Sequence, residues 1–174
     1  RRQRRGYLPP VSSAAVRRVP VIGLFLAAAL LVAACGGAAP TADTPPEIKY
    51  GAEACQVCQM SIDDPRFAGA YITAAGETVK VDDVGELVLA VIQAEEPVSR
   101  VWVHDFNTQE WLDGTTAYYV QSFQVHSPMG FGLMAFGDAE AAAAKARELG
   151  AAVLRWEDLL QGGLQVPERG KQTH

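Results

Sequence analysis

The stretch ACQVCQM, residues 54–60, places two thiols and a thioether within six positions: Cys55, Cys58 and Met60. The chain holds 3 Cys and 3 Met in all, so half of its sulfur is gathered here. Three chemistries could use such a set. A CxxC pair at a helix N-terminus can exchange disulfides, because that setting lowers the pKa of one thiol. In the thioredoxin arrangement the pair sits between a core strand and a long helix. Here it follows the polar EIKYGAEA and precedes the turn-rich SIDDPR. Structural zinc wants four N/S ligands in a tetrahedron. CxxC supplies two, and the others would have to come from His104, His126 or His174, with no second CxxC and no HxxxH present. Cu(I) is soft and takes thiolate and thioether donors at low coordination number. A thioether adds affinity for such an ion without adding charge, and a mixed Cys/Met set suits a carrier that must release its ion.

A Cu(I) reading needs a further soft donor from elsewhere in the chain. VHSPMGFGLMAF, residues 125–136, supplies His126, Met129 and Met134. Met129 lies between Pro128 and Gly130, in a loop where core packing does not explain it. Met134 lies on the strand that follows and reads as core. His126 reads equally as a ligand or as a solvated loop residue, and His104 ends a strand, as surface or core. Asp83 has the position of a helix cap. Asp82 holds the metal loop or faces solvent. The two do not make a hydrolase dyad, because nothing beside them supplies an activated nucleophile or an oxyanion site.

These residues must be positioned by a fold of modest size. The chain has 174 residues, 49% hydrophobic and 20% charged, which is one domain or two very small ones. Its first part is different. RRQRRGYLPPVSSAAVRR is basic without an acid, and VIGLFLAAALLVAA follows, an apolar run of 14 residues. A spanning helix needs about 20. Residues 1–34 therefore read as a secretory signal rather than an uncleaved anchor. VAAC, residues 32–35, resembles a bacterial lipobox, with Cys35 diacylated as the first mature residue and residues 35–50 as a flexible tether. That implies an exported protein held at a membrane face by a lipid anchor. The leader takes 6 of the 15 basic residues, which leaves 9 against 20 acidic ones, a formal charge of −11. Such a balance excludes nucleic acid as a partner, since that demands a basic face. With Cys35 lipidated, Cys55 and Cys58 remain as the only other thiols, exposed to oxidation outside the cytosol unless a metal or partner protects them.

The rest reads as a repeated order. RFAGAYITAAGETVKVDD predicts two strands around Ala75-Gly76-Glu77. DVGELVLAVIQAEE predicts an amphipathic helix capped by Asp83, with Leu87, Val88, Val91 and Ile92 on one face. VSRVWVHDF predicts a strand. NTQEWLDGTTA, residues 107–117, reads as a turn-rich connection. The second half predicts strands in TAYYVQS and GLMAFGD, a helix over DAEAAAAKARELG capped by Asp138 and stopped by Gly150, and a strand in AAVLRWEDL. Residues 81–83 align with 136–138, an offset of 55. The expected architecture is α+β, with two tandem ββαβ units, residues 51–107 and 108–163, and a tail over 164–174.

CQVCQMSIDDPRFAGAYI, GETVKVDDVGEL, YYVQSFQVHSPMGFGLMAF and GAAVLRWEDLL, in this order and spacing, resemble the NosL family of copper-binding lipoproteins. The resemblance covers residues 54–160. It implies a tethered Cu(I)-binding protein, an accessory to maturation of nitrous oxide reductase, with tandem ββαβ units shared distantly with organomercurial lyases. By position, Cys58 matches the family's constant Cys, Met60 its companion and Met129 the Met of an M-G loop. Cys55 falls where the family varies. Gln59 stands where the family usually has Gly, Val81 where it has Phe, and MAF where many members have Pro before Phe. The expectation is one Cu(I) on Cys58 and Met129, with Met60, Cys55 or His126 completing or shielding it. Copper would be delivered to a client cuproenzyme, and no reaction would be catalysed. The alternative is an exported thiol–disulfide oxidoreductase that uses Cys55 and Cys58.

Overall fold

The computed structural model describes residues 43–168. The leader, Cys35, the first part of the tether and the end of the tail lie outside the described residues.

Alternating β-branched and aromatic residues around Gly76 fold into an antiparallel hairpin of β1 (Gly69–Thr73) and β2 (Thr78–Val81), with Gly76 at φ 86° in the turn. Asp83 then takes an extended conformation and accepts a hydrogen bond from Gly85 N, which starts α1 (Val84–Ile92). The exposed amides of a first turn need such an acceptor. Leu87 and Val88 of α1 are fully buried and Ile92 is half exposed. Burial of each such aliphatic side chain contributes roughly 1.5–3 kcal/mol. The chain returns as β3 (Val98–His104), antiparallel to β1, so β1 lies inside the sheet and all five of its residues are buried.

The connection after β3 contains a further strand, β4 (Trp111–Asp113), where the sequence predicts only turns. The hairpin into it is organised by Asp105, whose Oδ1 accepts from Asn107 N and Thr108 N, and by Gln109 at φ 61°. A carboxylate that ties its own following amides makes a turn without Gly or Pro at its centre. The first sheet is therefore four-stranded, in the order β2-β1-β3-β4.

The second sheet holds β5 (Tyr118–Gln121), β6 (Leu133–Phe136) and β7 (Val153–Leu154), in the order β6-β5-β7, all antiparallel. Between β6 and β7 runs α2 (Ala139–Leu149), capped by Asp138 through Ala141 N and closed by Gly150 at φ 65°. Only Val153 and Leu154 of AAVLRWEDL pair as a strand. The Asp158 carboxylate accepts the Arg155 N–H at 2.7 Å, and this turns Trp156–Asp158 into a short helical turn, α3, continued by a wider helical turn over Leu159–Gly163. Part of the tail is pinned, since Gln165 exchanges two hydrogen bonds with Gln121.

The halves share one core. Val81, Val84, Leu87 and Val103 pack in the same cluster as Tyr119, Phe131, Leu133, Trp156 and Leu159. A parallel bridge between Asp105 and Ala135 joins the sheets. At Gly85 an added Cβ would lie 2.1 Å from Phe131 Cγ, so glycine in α1 is what admits the ring from the second half. Met134 is fully buried, as core, in a second cluster with Phe67, Val120 and Phe136. Residues 43–50, the end of the expected tether, lie on the fold: Ile48 is buried and Asp43 pairs with Arg100. Among the described residues no helix is long and apolar enough to cross a membrane.

Candidate metal centre

The thiols lie in a loop closed by its own backbone. Cys55 N donates to Met60 O at 2.7 Å, Gln59 N donates to Cys55 O at 3.0 Å, and Ala54 pairs with Ser61. Gln59 sits at φ 65°, the left-handed region that a glycine would enter without strain. The loop is docked along β2: Gln56 N donates to Lys80 O, Lys80 N donates to Gln56 Oε1, and Lys80 Nζ pairs with Glu53. Ile62, fully buried, anchors its far end.

Two residues beyond Lys80 the chain leaves β2 and enters α1. Asp82 and Glu86 are four apart across that helix start, a spacing that puts both on one side. One donor atom each from Cys55, Cys58, Asp82 and Glu86 gather within 4.8 Å of one another. Both thiols are free. Cys55 Sγ donates to Glu86 Oε2 at 3.0 Å, and Cys58 Sγ to Asp82 Oδ1 at 3.3 Å. Val57 N and Cys58 N each donate to Cys55 Sγ at 3.4 Å. Cys55, Asp82 and Glu86 are buried, and Cys58 is partly exposed.

Burial dominates the proton balance. It pushes the Cys55 thiol up, with the Glu86 hydrogen bond adding to it and the backbone N–H groups opposing it. Burial likewise pushes Cys58 far above an ordinary thiol, with Asp82 adding to it. Glu86 is raised by burial and by the Asp82 carboxylate beside it. Without a cation the thiols therefore keep their protons and hand them to the carboxylates as hydrogen bonds. A CxxC pair built for disulfide exchange needs the opposite, a thiol made acidic.

The second half reaches this place through Asp83. While Oδ1 caps α1, Oδ2 accepts from Ser127 Oγ at 2.6 Å and from Met129 N at 2.9 Å. The SPMG loop is thereby fastened to the start of α1, one residue from Asp82. Met129 is half-buried and packs against the same core as Cys58.

Comparison with known proteins matches this architecture. Residues 47–162 match the model of the NosL family. The chain belongs to the NosL family. A relative from Stutzerimonas stutzeri, described as the copper-binding lipoprotein NosL, is 30% identical over 127 residues, 67% of this chain and 66% of its own length. The match thus spans just under two thirds of that relative. The crystal structure of the copper chaperone NosL from Shewanella denitrificans has the same fold, with a TM-score of 0.54 at 18% identity over 66% of this chain and 96% of that one.

Within this NosL fold the expected site residues are distributed unevenly. Cys55 and Cys58 are in the four-donor cluster. Met60, two residues on, is 46% exposed beside the equally open Val57. Met129 is brought to the helix start by its backbone. His126 is exposed and outside the four-donor cluster. His104 is 4% exposed and committed elsewhere: Nδ1 lies 2.7 Å from the Gln109 carbonyl and Nε2 2.7 Å from the Tyr50 hydroxyl. A carbonyl only accepts, so Nδ1 carries the proton and Nε2 accepts from Tyr50. Cys35 lies outside the described residues. Glu86 is the residue that sequence reasoning missed. The available signal is the DDxxE spacing across a helix start, which points a second carboxylate back at Asp82.

Proposed function

We propose that this NosL-family chain is a membrane-tethered Cu(I)-binding metallochaperone that delivers copper to an exported cuproenzyme, with nitrous oxide reductase as the client. The observation that carries the reading is the convergence of two loops on the start of α1: CQVCQM through Cys58 Sγ on Asp82 Oδ1, and SPMG through Met129 N on Asp83 Oδ2. Copper here is cargo. Cys58 is the partly exposed thiol, Met60 stands at the open rim, and Met129 lies on the loop held by Asp83. Cys58 and Met129 are the principal donors in this reading. Met60, Cys55 or His126 completes or shields the ion. Binding removes the Cys58 thiol proton, for which the Asp82 carboxylate is the adjacent acceptor. Transfer to the client proceeds by ligand exchange from the exposed side. The lipid on Cys35 raises the local concentration of carrier at the membrane. Relatives described as a copper-binding lipoprotein and a copper chaperone support this assignment. The function is delivery, with no reaction catalysed. Burial raises both thiols, whereas disulfide exchange needs one of them lowered, which speaks against the oxidoreductase alternative.

The test is an anaerobic Cu(I) competition titration of the full chain in detergent. Wild type should bind one Cu(I), and Cys58→Ser and Met129→Leu should each weaken it by roughly 10–100-fold, the scale of a disrupted metal shell. If Met129→Leu leaves binding untouched while Cys55→Ser abolishes it, the site is a local CxxC and the two-loop reading fails.

A further inference from the structure

The Met129 loop has a second fastening besides Asp83, made by a residue of β5. Strand residues alternate between faces, so Gln121 shares the face of Tyr119, which is fully buried in the core. An amide at the end of a core-facing row is costly unless its polar groups are paired. All of them are. Nε2 donates to Phe131 O at 3.0 Å and to Gln165 O at 2.7 Å, and Oε1 accepts from Gln165 N at 2.8 Å. A carboxamide has two N–H donors and one acceptor oxygen, and carbonyls only accept, so this orientation is the one that fits. Gln121 is free to do this because the pairing of β5 with β7 ends at Val120 and Val153. The chain after the last helical turn takes the vacated place. Leu164 packs against the shared core, and Pro167 comes to 4.0 Å from where a Cβ on Gly130 would stand. Gly130 and Phe131, the two residues after Met129, are thus both met by this segment or by the amide that holds it.

We propose that Gln121 is a positioning residue for copper binding, which latches Leu164–Pro167 as a strap against the Met129 loop. The inference rests on the reading of Met129 as a copper donor. Ser127 and Met129 N are tied to Asp83, and Gly132 N to Ser127 Oγ. The Gln121 latch fixes the stretch between them, through Phe131 O. With both fastenings the loop is ordered before the ion arrives. Without the latch, only a fraction of molecules present the thioether, and the apparent affinity falls by that fraction. The strap is gripped through the backbone of Gln165, whose own side chain is exposed.

The experiment is an anaerobic Cu(I) competition titration of the full chain in detergent, with each variant made both with Met129 and with Met129→Leu. Gln121→Leu and Gln165→Pro, which removes the N–H, should each weaken Cu(I) by roughly tenfold, the low end for an outer-shell partner. Gln165→Ala should match wild type. In the Met129→Leu background Gln121→Leu should have no further effect, since the two act through one donor. In the metal-free chain the Met129 and Gly132 amides should exchange hydrogen faster in Gln121→Leu, at unchanged circular dichroism. If Met129→Leu weakens Cu(I) and Gln121→Leu does not, the strap is overturned and the copper reading stands. An equal loss from Gln121→Leu with and without Met129 also overturns it, and leaves Gln121 a support of the fold alone. A silent Met129→Leu would sink the copper reading at that donor, and this inference with it.

Discussion

Residues 81–83 and 136–138 hold the same place in the two halves: the end of the second hairpin strand and the cap of the helix that follows. Their local chemistry is alike. Asp83 and Asp138 are both extended, and each caps its helix with one carboxylate oxygen at 2.8 Å from an early amide. Their surroundings are opposite. Asp83 is fully buried and its second oxygen holds Ser127 and Met129 of the other half. Asp138 is exposed, and an amide of its own helix is the partner of its side chain. Before Asp83 stands Asp82, facing Cys58; before Asp138 stands Gly137, whose N–H goes to Asp105. One cap has become a fastener beside the cluster of two thiols and two carboxylates, and the other has stayed a cap. A capping signal therefore reports that a helix begins, and burial decides what else the carboxylate does.

The comparison can be broken at its strongest point first. Asp83→Ala should destabilise the fold by about 2–4 kcal/mol, the sum of a lost cap and two unpaired polar groups on the SPMG loop. In thermal unfolding that is a fall of about 10 °C. Because it also frees Met129, it should weaken Cu(I) binding, whereas Asp83→Asn should recover part of both. A loss under about 1 kcal/mol would place Asp83 with Asp138 as a simple cap.

Asp105 sharpens the comparison from the other side. Burial pushes its carboxyl up, but N–H donors from Gly137, Thr108 and Asn107 outweigh that and hold it below the usual carboxylate range. A lowered carboxylate contributes stability above its unfolded pKa, about 3.9, and loses it as pH falls through the folded value. Asp105→Asn should therefore cost about 1–2 kcal/mol at pH 7. In chemical denaturation series the gap to wild type should shrink below about pH 4. A gap independent of pH would mean that packing, not charge, is what Asp105 contributes.

Asp138→Ala should have the smallest effect, about 0.5–1 kcal/mol from the lost cap, with no change in metal affinity. A larger loss, or any change in metal binding, would show that α2 is coupled to the site after all.

Much of the architecture was legible because it rests on short-range patterns. The hairpin around Gly76, both caps, the αL stop at Gly150 and the core identity of Met134 all follow from residue type and spacing. β4 was not legible, because it is only three residues long and the turn before it, built by the Asp105 carboxylate and Gln109 at φ 61°, has no Gly or Pro at its centre. The strand read through AAVLRWEDL was cut short by one side-chain hydrogen bond, from Arg155 N to Asp158. At the candidate site, the two thiols announced themselves by their spacing, and a Pro/Gly setting singled out the Met129 loop, which Asp83 fastens to the start of α1. Glu86 did not, because one acidic residue in a first helical turn looks like ordinary support for the helix dipole.

The sequence by itself determined the family, the α+β class and the thiol pair, because these depend on residue identity, spacing and local backbone preference. Only the tertiary structure decided that Asp82 and Glu86 turn inward onto the thiols, that Asp83 binds the second loop, and that His104 is occupied by Tyr50 and Gln109. Those outcomes depend on which surfaces bury one another, and burial changes what a carboxylate or a thiol does without changing its name.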